Sequence, residues 1–74
     1  MKYDYSRLIG KIIEVFGSRK KFAQHIGWPE STVCLKLRSA SKFTQDQIFQ
    51  IITALGLTVA DIPDYFFVVK AQRN

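Results

Sequence analysis

Apolar residues recur along the chain at the spacing of amphipathic helices. The first series predicts a helix over residues 5–16 with an inner face of Leu8, Ile9, Ile12, Ile13 and Phe16. Asp4 or Ser6 has the side chain of an N-terminal cap for this helix. Gly10 lies inside the series, and we expect it to admit the close approach of another helix, because glycine in a helix interior costs about 1 kcal/mol relative to alanine.

Two shorter helices follow, over residues 19–26 and 29–38. Between them the chain has a small residue at Ala23, a glycine four positions later at Gly27, and an apolar Val33 six positions after that. Helices that cross steeply need a small side chain at their closest point, and the turn needs a residue that tolerates positive φ. The spacing therefore predicts a helix-turn-helix, the unit whose second helix enters the DNA major groove in many regulators.

The rest of the chain predicts two more helices and an apolar end. Thr44 and Gln47 have the spacing of a capping box that opens a fourth helix. A short fifth helix is expected over residues 59–62, after which Pro63 begins an irregular segment. The apolar run at residues 65–69 then forms a short C-terminal tail. The pattern as a whole predicts an all-α, compact domain of five short helices.

Length and composition allow one small domain. The chain has 74 residues, of which 47% are hydrophobic, so we expect a folded domain over residues 1–69 and a polar tail over residues 70–74. A single cysteine, Cys34, excludes an intramolecular disulfide and points weakly to a reducing compartment. We expect a cytoplasmic protein, because no signal pattern is present and no apolar run approaches the roughly 20 residues of a membrane span.

The net charge of +5 is concentrated in one segment. Six of the eleven basic residues and only one acidic residue, Glu30, lie between residues 19 and 42, whereas the two signs balance elsewhere. The excess therefore coincides with the predicted helix-turn-helix and the loop after it. Such a distribution is typical of a surface that binds phosphates, although a solvated charged surface would show it as well.

Helix geometry divides the third helix into two faces. At about 100° per residue, placing Val33 in the core also points Leu37 inward and points Ser31, Leu35 and Arg38 outward. An outward leucine in the middle of such a helix can contact a thymine methyl group, and a serine or a carboxylate can bond to base edges. The candidate base-reading residues are Glu30, Ser31, Thr32 and Leu35, and Glu30 has the alternative role of a cap on the helix dipole.

The candidate phosphate-binding residues lie at the start of the second helix and around the end of the third. A helix N-terminus and basic or hydroxyl side chains commonly meet phosphates, and these contacts give affinity rather than sequence choice. The residues in these positions are Arg19, Lys20, Lys36, Arg38, Ser39, Ser41 and Lys42.

The segment from Ser18 to Leu37, followed by Thr44-Gln45-Asp46-Gln47-Ile48, resembles the lambda-repressor-like helix-turn-helix family that includes the Cro and cI proteins of temperate phages. The resemblance implies a five-helix DNA-binding domain that acts as a repressor in a lysis–lysogeny switch of a bacterial host. It places a phosphate contact on Arg19 and base contacts on Glu30, Ser31 and Leu35. The chain departs from the family pattern where Trp28-Pro29 replaces the polar residues that usually cap the third helix.

Three features have two interpretations each. Trp28 either packs against the second helix or the tail, or it stacks or contacts a phosphate, and Cys34 is either a small residue at the groove edge or a redox sensor. The C-terminal run is longer than the closing of so small a core needs. It can therefore also form a dimer contact, which would match an inverted-repeat operator. The candidate dimer residues are Tyr65, Phe66, Phe67, Val68 and Val69.

Catalysis has little support, and we expect neither an enzyme nor a cofactor. The only histidine is His25, and the chain has no glycine-rich phosphate loop and no metal-ligand cluster. The first functional hypothesis is a sequence-specific repressor of double-stranded DNA. The second is an antirepressor-like modulator that captures a partner repressor protein, because an acidic and apolar third helix, with Glu30 and Leu35, can dock on another protein. An antitoxin is disfavoured by the lack of a disordered extension.

Overall fold

Five α-helices form the fold in a computed structural model that describes residues 3–38 and 41–69. A single 3-10 turn, Val59–Asp61, precedes the last helix. Within the described residues there is no strand, only an isolated antiparallel bridge between Tyr3 and Val69. The helices are α1 (Ser6–Phe16), α2 (Arg19–Ile26), α3 (Glu30–Leu37), α4 (Gln45–Leu55) and α5 (Ile62–Phe66). The expected all-α, five-helix fold is confirmed.

Polar side chains begin three of the helices. Asp4 Oδ1 accepts a hydrogen bond from the Ser6 backbone N–H at 2.9 Å, so the carboxylate of Asp4 serves the first turn of α1. Ser18 Oγ accepts from the Lys21 N–H at 3.1 Å and caps α2. The capping box expected at α4 is present in both directions. Because an N-terminal cap contributes about 1 kcal/mol, these bonds fix where the helices begin.

The core contains buried side chains from all five helices. α1 contacts α2, α4 and α5, and α2 also contacts α3 and α4. Ala23 is 2% exposed, as expected for a small residue between packed helices. Trp28 is half-buried against the core, which favours its packing interpretation. The buried apolar residues are Tyr5, Leu8, Ile12, Phe22, Ala23, Val33, Leu37, Ile51, Ile52, Leu55 and Phe66.

The end of the fold differs from the prediction. The expected fifth helix over residues 59–62 is a 3-10 turn, and α5 follows it from Ile62 to Phe66. Pro63 lies in the first turn of α5 instead of beginning an irregular segment. Proline is tolerated there because the first helical N–H groups have no partner inside the helix, and its fixed φ suits the helix.

Gly10 has a different environment from the one its sequence position indicates. It is exposed, and a Cβ atom built on it would meet no atom within 4 Å apart from its neighbours and its own helix backbone. No helix packs closely against Gly10, so the expectation of a close approach is wrong.

Gly10→Ala is therefore expected to stabilise the protein. The substitution removes the helix-interior cost of glycine and creates no clash, so the free energy of unfolding should rise by about 1 kcal/mol. Thermal unfolding followed by circular dichroism should show an increase in Tm of about 4–8 °C. A lower Tm for the variant would show that this site makes a contact absent from the structure.

Candidate functional site

The α2–α3 unit, residues 19–37, has the helix, turn and helix that the sequence predicts. Gly27 ends α2 with φ of 83°, in the region that glycine adopts without steric cost. The N–H groups of Gly27 and Trp28 both donate to the Ala23 carbonyl, at 2.9 and 3.1 Å. Pro29 then precedes the first residue of α3 with an extended ψ of 141° and gives no side-chain cap. The third helix is one residue shorter at each end than expected.

The outward face of α3 lies where the helical geometry places it. Val33 and Leu37 are buried, whereas Glu30, Ser31, Leu35 and Arg38 are exposed. Leu35 is 44% exposed, and Thr32 and Cys34 are half-buried. We call Glu30, Ser31, Leu35 and Arg38 the α3 face. Its orientation is confirmed, and a base-reading role for Glu30, Ser31, Thr32 and Leu35 stays a prediction.

Lys36 does not belong to the phosphate-binding set. It is only 7% exposed, and its ammonium group donates to the Lys42 carbonyl at 2.8 Å and to Ser41 Oγ at 3.4 Å. The ammonium group also lies 5.8 Å from the centre of the Phe43 ring, within the range of a cation–π contact. Lys36 therefore holds the segment after α3 against the helix, and its donors are directed at the protein instead of at a phosphate.

Lys36→Ala is expected to lower stability, because it removes charge-assisted hydrogen bonds and the packing of the side-chain stem. We expect a loss of about 1–3 kcal/mol in the free energy of unfolding, measured by urea denaturation. Lys20→Ala, at an exposed position on α2, is the control and should change stability by no more than about 0.5 kcal/mol. Equal effects of the two substitutions would contradict the role assigned to Lys36.

The other predicted phosphate-binding residues are accessible where the structure describes them. Arg19, Lys20, Arg38, Ser41 and Lys42 are exposed, and Ser39 lies outside the described residues. Within residues 3–38 and 41–69 the only salt bridge joins Lys11 and Glu14, at 3.0 Å. These basic groups are therefore available to an anionic partner, and their contact with phosphates stays a prediction.

The predicted dimer residues do not form one surface. Phe66 is 1% exposed and belongs to the core, so its side chain is not free for a partner, and Tyr65 is half-buried against the core. Phe67, Val68 and Val69 are 50%, 37% and 50% exposed. The backbone of this end pairs within the chain, since the Asp4 N–H donates to the Val68 carbonyl at 2.7 Å. Of the five residues predicted to form a dimer contact, Phe67, Val68 and Val69 are the exposed ones.

An aromatic cleft, which the sequence did not indicate, is lined by residues before α1, by the segment between α3 and α4, and by residues of α4 and the end of α5. Tyr5 stands edge-on to Phe43, with ring centres 5.3 Å apart, and Phe43 stands edge-on to Phe66 at 5.4 Å. Ser41 and Lys42 lie on its margin. The cleft has a volume of about 240 Å³, and its apolar wall consists of Tyr3, Tyr5, Phe43, Ile48, Phe66 and Phe67.

A second, open groove lies between the end of α2 and the outer side of α4. His25, Phe49 and Thr53 are among the residues that line it. His25 is exposed with its ring centre 4.9 Å from that of Phe16. Within the described residues no three His, Cys, Asp or Glu side chains are grouped as metal ligands. Among the residues that the structure describes, no helix has both the length and the apolarity that crossing a membrane requires.

These features define a small all-α protein that has a two-helix unit with an exposed mixed face and that also has an aromatic cleft. The chain belongs to the family described as protein of unknown function (DUF739), which matches residues 1–69. It is also similar to the modulator of repression (MOR) of the temperate bacteriophage TP901-1 from Lactococcus lactis, known from a solution structure. That match has 43% sequence identity, covers 97% of each chain and has a TM-score of 0.82. No curated protein sequence matches the chain.

Proposed function

We propose that this chain is a modulator of repression that acts by binding a repressor protein. The observation that carries the proposal is the similarity, over 97% of both chains, to a phage protein that is named a modulator of repression. This similarity favours the second hypothesis drawn from the sequence over a Cro-type repressor. The fold alone would not decide between them, because one fold can serve several functions.

The composition of the α3 face supports a protein partner. The only basic side chain of this face is Arg38, and its positive charge is offset by the carboxylate of Glu30. The half-exposed Leu35 lies between them. A helix that reads DNA gains most of its affinity from cations near phosphates, and Lys36 is withdrawn from that task by its bonds to Ser41 and Lys42. A balanced face with a central apolar side chain suits the mixed surface of another protein.

The exposed C-terminal residues supply a second contact area. Phe67, Val68 and Val69 are apolar and at least one-third exposed, and Tyr3 lies beside them with its ring 5.7 Å from that of Phe67. Contiguous exposed apolar side chains on a small protein mark sites of association. We propose that the α3 face and this end of the chain both contact the repressor.

Binding to double-stranded DNA is the second candidate function. It is favoured by the exposed cluster of Arg19, Lys20 and Lys21 at the start of α2, with Lys42 beyond α3. None of these basic groups is in a salt bridge among the residues that the structure describes. As a Cro-type repressor, the chain would bind an inverted-repeat operator as a homodimer, with α3 in the major groove.

A reporter experiment separates the two functions. Expression is measured from a promoter that carries the operator of the repressor encoded in the same genome as this chain. The measurement is made with the repressor alone, with this chain alone, and with both. We expect the chain to change expression only when the repressor is present. Repression by the chain alone, together with enrichment of an inverted repeat from a random duplex library, would instead establish the DNA-binding function.

A further inference from the structure

The aromatic cleft has the size to accept one anchoring side chain of a partner protein. Small-molecule sites usually occupy about 300–1,000 Å³, so a cleft of about 240 Å³ is too small for most of them. It would hold roughly eight waters at about 30 Å³ each, a volume suited to one large side chain. Its floor is rigid, because Tyr5 and Phe66 are 6% and 1% exposed and Phe43 packs edge-on between their rings.

The margin of the cleft is exposed to solvent. The rings of Tyr3 and Phe67 meet edge-on at 5.7 Å and are 36% and 50% exposed. A side chain inserted between the floor and this margin would bury both exposed rings. Large buried aromatic contacts of this kind carry much of the affinity in protein interfaces.

The charge around the cleft selects the kind of segment that carries the anchor. Lys42 lies on the margin and is exposed, and the Lys36 ammonium group lies 5.8 Å from the centre of the Phe43 ring. No carboxylate is among the described residues that line the cleft. A carboxylate beside the inserted side chain would therefore meet a positive potential and no repulsion.

We propose that the aromatic cleft binds an aromatic side chain of the partner repressor that is flanked by carboxylates. This inference rests on the proposed function and specifies one of its contact sites. The anchor ring fills the cleft against Phe43 and Phe66, and a neighbouring carboxylate pairs with Lys42 at the margin.

The first test uses short blocked peptides and the whole isotope-labelled chain, followed by NMR. A pentapeptide with a central tryptophan between two pairs of glutamates should shift the resonances of Tyr3, Phe43 and Phe67 in a saturable way. The same peptide with alanine in place of tryptophan, or with lysines in place of glutamates, should bind at least about tenfold more weakly. Equal binding of the three peptides would overturn the proposal.

Two substitutions and a matched control test the cleft itself. Phe67→Ala should weaken the binding of the acidic tryptophan peptide about tenfold or more, and Lys42→Glu should weaken it and remove its salt dependence. The Lys42→Glu protein should remain folded, because Lys36 bonds to the backbone carbonyl at that position. Phe49→Ala is the control, since Phe49 is 46% exposed on α4 outside the cleft and resembles Phe67 in size and exposure. A loss with Phe49→Ala equal to that with Phe67→Ala would contradict the assignment.

The same variants in a binding assay with the repressor distinguish failure of this inference from failure of the proposed function. If the repressor binds the native chain and Phe67→Ala with equal affinity, neither the cleft nor the end of the chain at Phe67 is a contact site, and repressor binding through the α3 face still stands. If the repressor does not bind the native chain at all, the proposed function fails. Two further results would give the cleft a different occupant: self-association lost in Phe67→Ala, or resonance shifts at the cleft with a single-stranded oligonucleotide instead of the peptide.

Discussion

Phe66→Ala is expected to remove most of the free energy of unfolding and to bring the protein close to the midpoint of unfolding at room temperature. The ring is 1% exposed, lies on α5, and packs edge-on against Phe43 at 5.4 Å. Truncation of a buried phenylalanine costs about 3–5 kcal/mol. Small domains lie near the lower end of the usual range of about 5–15 kcal/mol for the free energy of unfolding, so this loss removes most of it. Far-ultraviolet circular dichroism and urea denaturation measure the result.

The neighbouring residue provides the control for this prediction. Phe67→Ala removes the same side chain from a half-exposed position, and we expect a loss of no more than about 1 kcal/mol. A Phe66→Ala protein that remains fully folded and loses only self-association would show that Phe66 forms a dimer contact. That result would contradict its place in the core.

Leu35→Lys is expected to weaken binding to the repressor by about tenfold to a hundredfold. Leu35 is 44% exposed at the centre of the α3 face, so the variant should fold normally. In a protein interface the new ammonium group would be buried without a partner, at a cost of about 1–3 kcal/mol or more. On DNA the same lysine would lose the contact of Leu35 with a base but gain phosphate attraction, so affinity for a duplex of unrelated sequence would hold or rise. Titration calorimetry measures the affinity for the repressor, and titration of a fluorescent duplex measures the affinity for DNA.

Charge reversal at Arg19 is the matched comparison for Leu35→Lys. Arg19 is exposed at the first turn of α2, where a DNA-binding protein would contact phosphate. We expect Arg19→Glu to leave repressor binding within about threefold of the native value, because rim charges contribute little to affinity. A loss of function with Arg19→Glu and none with Leu35→Lys would support phosphate binding and contradict the proposed function.

Local rules predicted the helices because each capping residue lies within one turn of the backbone group that it bonds. Ser18 and Thr44 each bond to a backbone N–H three residues further on, and Gly27 takes the positive φ that the turn requires. The face of α3 followed from its period, since the buried positions of Val33 and Leu37 are one turn apart. The family resemblance added a phage regulator, which the similarity to a modulator of repression supports.

Contacts between different elements of the fold account for most of what the sequence did not show. Lys36 follows Val33 by three residues and so lies about 60° from it around the helix, but its burial depends on carbonyl and hydroxyl groups in the segment after α3. Phe66 points into the core because α5 extends beyond Pro63. The aromatic cleft joins Tyr3, Phe43 and Phe67, which share no period, so no local pattern brings them together.

Complex formation with the repressor in the absence of DNA tests the central claim most directly. The purified chain and the repressor encoded in the same genome are mixed at micromolar concentration near physiological salt, and the mass of the species is measured by light scattering after gel filtration. The proposed function predicts a defined complex whose formation Leu35→Lys weakens and Arg19→Glu does not. Separate elution of the two proteins, with this chain alone binding a specific duplex, would contradict it.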